Sequence, residues 1–283
     1  MGKGTLYLCA TPIGNLEDIT LRVIRILKET DYIVAEDTRH TLKLLNHLEI
    51  SKPLISYHKH SDREREERIL ALLEEGNHIA LVSDAGMPGI SDPGERLVQL
   101  AHERGIHVTI LPGATAGLSA LVLSGLPSSR FVFEGFLPRD KKSRQKVLSQ
   151  LKDEERTIIL YEAPHHLTST LKQMNKSLGN RRIAVVRELT KIYEEVLHFS
   201  LEDSIEYFIS NPPRGEFVLV IEGSEKERDN NRFQDISIRD HILAYMDAGM
   251  SKKEAIKKVA IERDLPKNQV YEHSIHIPLK KKY

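Results

Sequence analysis

Short apolar runs alternate with amphipathic stretches through the first hundred or so residues. Strand candidates lie at 5–10, 32–35, 54–57, 79–83 and 108–111. Between them apolar side chains recur at helical spacing, as at Leu21, Ile24 and Leu27, or Ile69, Leu72 and Leu73. This alternation predicts an α/β unit on a mostly parallel sheet, covered on both faces. A second set of apolar runs follows Pro112, at 131–134, 157–161, 183–187, 195–199 and 217–222. The third and fourth runs of that set are too close for a crossover helix, so they are expected to pair antiparallel in a mixed sheet.

The pattern changes once more near residue 223. GSEKERDNNR at 223–232 has no apolar side chain and reads as a linker. Beyond it, Ile238, Ile242, Leu243 and Met246 outline a helix that Gly249 ends. Ser251 with Glu254 predicts a capping box, opening a helix with Ala255, Val259 and Ala260 on one face. After a turn at 264–268, Val270, Tyr271 and Ile275 give a third helix. Short helices with tight turns resemble a helix-turn-helix-type bundle. The expected organisation is an N-terminal α/β domain at 1–112, a second α/β domain at 113–224, and a linker with a helical, helix-turn-helix-like module at 225–283. A chain of 283 residues exceeds what one core usually holds.

Composition narrows the classes. Apolar residues make up 40% and charged ones 29%, as expected of a soluble globular protein. No apolar run is long enough to span a bilayer and no secretory signal is visible, so no membrane partner is expected. Cys9 is the only cysteine, which rules out an intramolecular disulfide and fits a cytoplasmic location. Basic and acidic residues balance at 41 each, so any nucleic-acid surface must be a local patch.

The candidate chemistry lies in three loops, each after a strand. They are TPIGN at 11–15, SDAGMPGISDPG at 83–94 and PGATAG at 112–117. In open α/β sheets ligands bind beyond the carboxyl ends of the strands. Glycine and proline there let the main chain approach a ligand closely. Neither GxGxxG after the first strand nor GxxxxGK[ST] occurs, which argues against a nucleotide-binding Rossmann site and a P-loop.

These loops, with EDTR at 36–39 and GFLPR at 135–139, resemble the ribosomal-RNA-methylating branch of the tetrapyrrole methylase superfamily. The resemblance covers nearly the whole chain. It implies two α/β domains with S-adenosylmethionine in the cleft between them. The activity it implies is 2′-O-methylation of a cytidine ribose in small-subunit ribosomal RNA, on free RNA or an assembled subunit. Homodimerisation is a further family expectation. By motif, Pro12 lies near the methionine part of the cofactor, and Asp84, Gly86, Met87, Gly89 and Ile90 fall in the second binding loop. Thr115 and Ala116 match the next contact pair. Tyr161 and Glu162 approach the adenosine; Leu189, Glu216 and Phe217 match adenine contacts. Porphyrin methylases usually carry Gly-Asp-Pro where this chain reads near Asp84-Ala-Gly86, a departure that fits the RNA-methylating branch.

Methylation of a hydroxyl needs an in-line methyl donor, a proton acceptor and positive partners for substrate phosphates. Two readings of 36–39 stand side by side. In one, Glu36 or Asp37 takes the proton while Arg39 holds phosphate; in the other, the carboxylate–Arg pair only starts a helix. Lys191 and Glu194 are second catalytic candidates, or a solvated hairpin tip. Arg139, Lys141, Lys142 and Arg144 form a basic cluster suited to phosphate. From Lys226 to the end, 13 basic residues face 9 acidic ones, with Lys252, Lys253, Lys257 and Lys258 on one helix and Lys280, Lys281 and Lys282 at the tail. That excess reads either as an RNA-docking module or as a solvated face. His58, His60, His165 and His166 lack the spacing of a zinc site, and no metal is expected. Two rival functions remain: methylation of a small tetrapyrrole precursor, and non-catalytic RNA binding by a retained cofactor fold.

Overall fold

The computed structural model describes residues 2–58, 63–224, 236–263 and 265–278. Most of the linker expected at 223–232 lies outside the described residues, as do His60, Asp264 and the three terminal lysines. Met1–Ser224 forms one compact unit and Glu225–Tyr283 a second.

The first sheet consists of β1 (Thr5–Cys9), β2 (Tyr32–Ala35), β3 (Leu54–Ser56), β4 (Ile79–Val82) and β5 (His107–Leu111). Its order is β3-β2-β4-β1-β5, parallel throughout. Strand alternation splits its side chains between two cores. Ile79 and Leu81 of β4 pack with α3 (Arg63–Glu74) and α4 (Glu95–Glu103), through Leu70, Leu73 and Leu97. Ala80 and Val82 pack with α1 (Leu21–Glu29) and α2 (Thr38–His47), through Val23, Leu27 and Leu45. Thr20 caps α1 by accepting from Val23 N–H at 3.1 Å, and Asn15 caps the short turn Leu16–Asp18 before it.

Strand order decides where a ligand can sit. The chain leaves β4 toward β5 on one side, whereas it leaves β1 and β2 toward the other side. A strand whose exit opposes its neighbours' opens a crevice at the carboxyl ends.

The second sheet holds β6 (Phe131–Phe136), β7 (Thr157–Glu162), β8 (Arg182–Arg187), β9 (Glu195–Ser200) and β10 (Phe217–Ile221), in the order β6-β7-β10-β8-β9. β6 and β7 run parallel and the other pairs antiparallel, with β8 and β9 in the expected hairpin from Arg182↔Ser200 to Arg187↔Glu195. Phe217, Leu219 and Ile221 face α6 (Lys141–Leu151), α7 (Pro164–Leu178) and α8 (Leu201–Ser210). Val218 and Val220 face α5 (Ala116–Leu123) through Ala120 and Leu121. The fold is α/β with two five-stranded sheets, and every strand read from periodicity is present.

The second unit has α9 (Ile238–Asp247), α10 (Lys252–Glu262) and α11 (Lys267–Glu272) around Ile242, Met246, Val259 and Val270. The capping box forms: Ser251 Oγ accepts from Glu254 N–H, and Glu254 accepts from Ser251 N–H at 3.1 Å. One expectation fails here. Tyr271 and Ile275 are exposed, and α11 ends before Ile275. Ile277, beyond the turn, fills the core position instead.

Among the described residues, the core clusters of the first unit take none beyond Ile221. A chain ended at Ser224 is therefore expected to melt cooperatively within a few degrees of the full protein. Circular dichroism checks this; loss of the transition would place essential contacts in the tail.

Candidate active site

The crevice is closed at its base by main chain. Thr11 N–H donates to Gly86 O at 2.9 Å and Gly86 N–H to Thr11 O at 3.1 Å, which ties the loop after β1 to the loop after β4. Thr11 Oγ1 donates to Ser83 O at 3.1 Å, and Ser83 Oγ to Gly86 O at 3.0 Å. Gly86 has φ +81°, and a Cβ there would stand 3.1 Å from Ile13 Cγ2 and 3.3 Å from Ala114 O. The third glycine-bearing loop thus meets the other two at Gly86.

A cavity of about 300 Å³ lies where these loops face the second sheet. Of the positions assigned by resemblance, Gly86, Met87, Ile90, Thr115 and Ala116 line it from the loop side. Tyr161, Glu162, Leu189, Glu216 and Phe217 line it from the second sheet. Pro12, Asp84 and Gly89 do not line it. Ile13 lines it in place of Pro12, and Asp84 Oδ1 turns back to accept from Asp37 N–H at 3.1 Å. Ser91, Asp92, Phe136 and Ala163 complete wall segments that motif reasoning left out. The signal for Asp92 and Phe136 was present, since both fall inside quoted motifs. Phe136 is 60% exposed and stands edge-on to Tyr161 at 5.5 Å between centroids. Tyr161 Oη in turn accepts from Gly117 N–H at 3.1 Å, satisfying a donor in the first turn of α5.

None of the five catalytic candidates lines the cavity, and four of them, Asp37, Arg39, Lys191 and Glu194, are held by local hydrogen bonds. Asp37 caps α2 and grips Arg39, whose Nη2 donates to Asp37 Oδ2 at 2.9 Å. That hydrogen bond holds the Asp37 carboxyl down at about 2, so it is a weak proton acceptor. The Arg39 side chain is 89% exposed and free to meet an anion with its remaining donors. Glu36 is raised above the usual carboxylate range, first by burial and then by Asp84, with His58 opposing. Lys191 Nζ bonds Glu188 Oε1 and Glu216 Oε2, each at 3.0 Å. Burial works against its charge, but these two partners outweigh it and raise the Lys191 pKa. Glu194 accepts from Thr190 N–H at 2.6 Å, which fastens the hairpin tip. Asp92 is pushed up to about 7, first by burial, then by Glu36 and Asp84. Among the described residues, no group of three or more His, Cys, Asp or Glu is placed to hold a metal ion.

The family described as Tetrapyrrole (Corrin/Porphyrin) Methylases matches residues 5–204. The chain belongs to the tetrapyrrole methylase family. Among its relatives, Ribosomal RNA small subunit methyltransferase I of Halalkalibacterium halodurans is 51% identical over 271 residues, 95% of this chain and 94% of that protein. The Thermotoga maritima protein of the same name is 46% identical over 222 residues, 78% of this chain and 100% of its own length. Among solved structures, uroporphyrin-III C-methyltransferase from Thermus thermophilus, complexed with S-adenyl homocysteine, shares the fold. It aligns with TM-score 0.54 at 20% identity, over 77% of this chain and 97% of that one. The resemblance read from the loop motifs is borne out, and with it the RNA-methylating branch of this tetrapyrrole methylase family. The Thermotoga relative is also about as long as the first compact unit alone.

Two predictions follow from the junction and the charges. Gly86 and Gly105 both have positive φ, but nothing lies within 4 Å of a Cβ on Gly105. Gly105→Ala is expected to cost roughly 1–2 kcal/mol of strain alone, and Gly86→Ala roughly 2–4 kcal/mol once crowding is added. Urea denaturation of both variants checks the difference. The raised Asp92 pKa means the folded protein binds the extra proton between the ordinary carboxylate range and about 7. Its contribution to stability therefore falls as pH rises through that window. Asp92→Asn should raise Tm at pH 8 and leave it nearly unchanged near pH 4, as calorimetric scans would show.

Proposed function

We propose that this chain transfers a methyl group from S-adenosylmethionine to the 2′-hydroxyl of a cytidine in small-subunit ribosomal RNA. The observation that carries the reading is the cavity itself, walled by three main-chain-rich loops on one side and by the ends of β7, β8 and β10 on the other. Ile13, Met87, Leu189 and Phe217 give an apolar wall suited to the adenosine and the methionine carbons. Asp92 adds a carboxylate suited to a sulfonium. These residues fit the cofactor, which supplies an electrophilic methyl when bound. The loops would hold it through backbone groups, with Thr115 and Ala116 at the start of α5.

On the acceptor side, the exposure of Arg39 and of Arg139, Lys141 and Lys142, clustered with Arg144 at the start of α6, supports reading this group as phosphate contacts. Arg144 already donates to Pro138 O and Arg139 O, which orders the turn and leaves Lys141 and Lys142 as the freer cations. Lys191 joins Glu188 to Glu216 and stiffens the cavity rim; it is read here as positioning the cofactor wall. The RNA substrate places the enzyme in the cytoplasm. α5 exposes Leu118 and Val122, one turn apart, as a face through which two copies could pair.

The deciding assay offers tritiated methyl donor with small ribosomal subunits, with free small-subunit RNA and with a porphyrin precursor. Label is expected in RNA, at a ribose that resists alkaline cleavage on its 3′ side. Label in the porphyrin alone would move the chain to the small-molecule branch; cofactor binding without any transfer would favour a non-catalytic RNA-binding protein.

The tail gives a second prediction. Lys252 donates to Ile277 O at 2.8 Å and Lys258 sits 4.5 Å over the Tyr245 ring, so both serve the module's own structure. Lys253 and Lys257 are exposed and available. Removing residues 225–283 is expected to leave cofactor affinity unchanged while weakening binding to subunits, with a shallower salt dependence than the full chain. Filter binding at several salt concentrations measures this. Unchanged subunit affinity in the shortened protein would free the tail from any role in docking.

A further inference from the structure

Asp92 stands apart from every other acidic group near the cavity. It lines the wall, between Ser91 and Pro93 in the second half of the loop after β4. Ser91 adopts φ +64°, rare for a residue with a side chain. Its Oγ would be 2.9 Å from a Cβ on Gly135, which has φ +63° where β6 bulges against β7. Two unusual backbone positions therefore meet where the loop approaches the second sheet, immediately before Asp92. Strain of this kind persists where surrounding structure fixes it and clusters at working sites.

The other carboxylates are engaged. Glu162 Oε1 accepts from Ala163 N–H at 2.8 Å, and Glu216 Oε2 accepts from Lys191. Asp84 is bonded to Asp37 N–H and Asp37 to Arg39. Glu36 does not reach the cavity wall. Of the three wall carboxylates, Asp92 is the one with neither oxygen in a hydrogen bond from a described residue, whereas Glu162 and Glu216 each have one oxygen bonded.

The geometry points to Asp92 as the group that takes the proton of the acceptor hydroxyl, made ready for it by the positive charge of the bound cofactor. The inference rests on the methyl-transfer reading above. The ribose O–H bond breaks and its proton passes to an Asp92 Oδ. The new O–C bond forms as the S–C bond breaks, and the sulfonium departs as a neutral thioether. Each charge is accounted for: the cation disappears and the carboxylate becomes neutral.

The surroundings explain why a cation is needed. Glu36 at the end of β2 and Asp84 at the end of β4 both repel a charge on Asp92, and His58 after β3 tempers Glu36. Tyr161 faces it from β7. Burial and the two carboxylates leave Asp92 titrating at about 7, so near neutral pH it carries its proton part of the time. A sulfonium beside it favours the ionised form and expels that proton. The thioether product removes this push, so the carboxyl can keep the proton it has accepted.

Titration calorimetry of the full-length protein at pH 7, in two buffers of different ionisation enthalpy, reads this directly. S-adenosylmethionine is expected to release a fraction of a proton on binding and S-adenosylhomocysteine none. In Asp92→Asn the release should vanish while S-adenosylhomocysteine affinity stays within about threefold. Methyl transfer to small subunits should fall at least about 100-fold. Asp92→Glu, which keeps a carboxylate, should recover part of the rate with a shifted acid limb in its pH profile. Equal proton release by the two ligands in the wild type, or an Asn variant that transfers methyl within threefold of wild type, overturns the assignment. Should the Asn variant fail to fold, the wild-type comparison of the two ligands still decides. A wild type that shows the ligand-dependent release but leaves RNA unlabelled supports the gated carboxylate and overturns the choice of substrate instead.

Discussion

One turn, residues 11–15, ties the cavity-bearing unit of this molecule together. Thr11 makes the paired main-chain bonds to Gly86. Two residues on, Ile13 buries its side chain in the core shared by α5 and the second sheet. Gly14 lies so close to the hairpin tip that a Cβ would fall 2.5 Å from Lys191 Cγ and 2.9 Å from Leu189 O. Three successive requirements, an extended residue, an apolar anchor and a residue with no side chain, fall within four positions. The turn thereby touches the β4 loop, the second core and the rim of the cavity at once. A glycine at position 14 is dictated by that close approach, since nothing else fits between the two backbones.

The topology of the first sheet gives this turn its importance. Because β4 exits in the opposite direction to β1 and β2, their loops part and leave a crevice above β4. On one flank Thr11 spans it to Gly86; on the other, Asp84 reaches Asp37 N–H at the end of β2. The residue that looked from its motif like a cofactor contact thus acts as a strut. Loops rich in glycine and proline suit this place because they can be bonded side to side through main chain while leaving little side-chain bulk in the cavity.

Much of this was legible in the sequence. The strands were, because a buried strand carries its own signal in four to six adjacent residues, and β4 and β10 are apolar on both faces. The loops were, because their glycines and prolines are costly without a purpose. Which side of a loop faces the cavity was not. Asp84 and Asp92 sit in one motif, and only the direction of the chain after Gly86 and Ser91 separates strut from wall. Ile275 was misplaced for a similar reason: helical spacing was extended past Glu272, where the chain had already turned, and Ile277 took the buried position. Residues supplied by the partner wall, such as Phe136 and Ala163, needed the packing of one sheet against the loops of the other.

Four carboxylates around the crevice show how far position can override residue type. Asp37 is open to solvent and bonded to a guanidinium, so its ionised form is held firmly. Asp84 is spent on a main-chain donor. Glu36 and Asp92 are both raised by burial and by Asp84, and Glu36 adds to the cost of ionising Asp92. Like charges a short distance apart in such surroundings cannot both ionise cheaply, so the site holds fewer charges than it has carboxyls. A cation entering the cavity changes that balance more than any neutral molecule of the same shape. Acidic surroundings of this kind also disfavour an anion, and Arg39, an exposed cation of the neighbouring loops, stands outside the cavity wall.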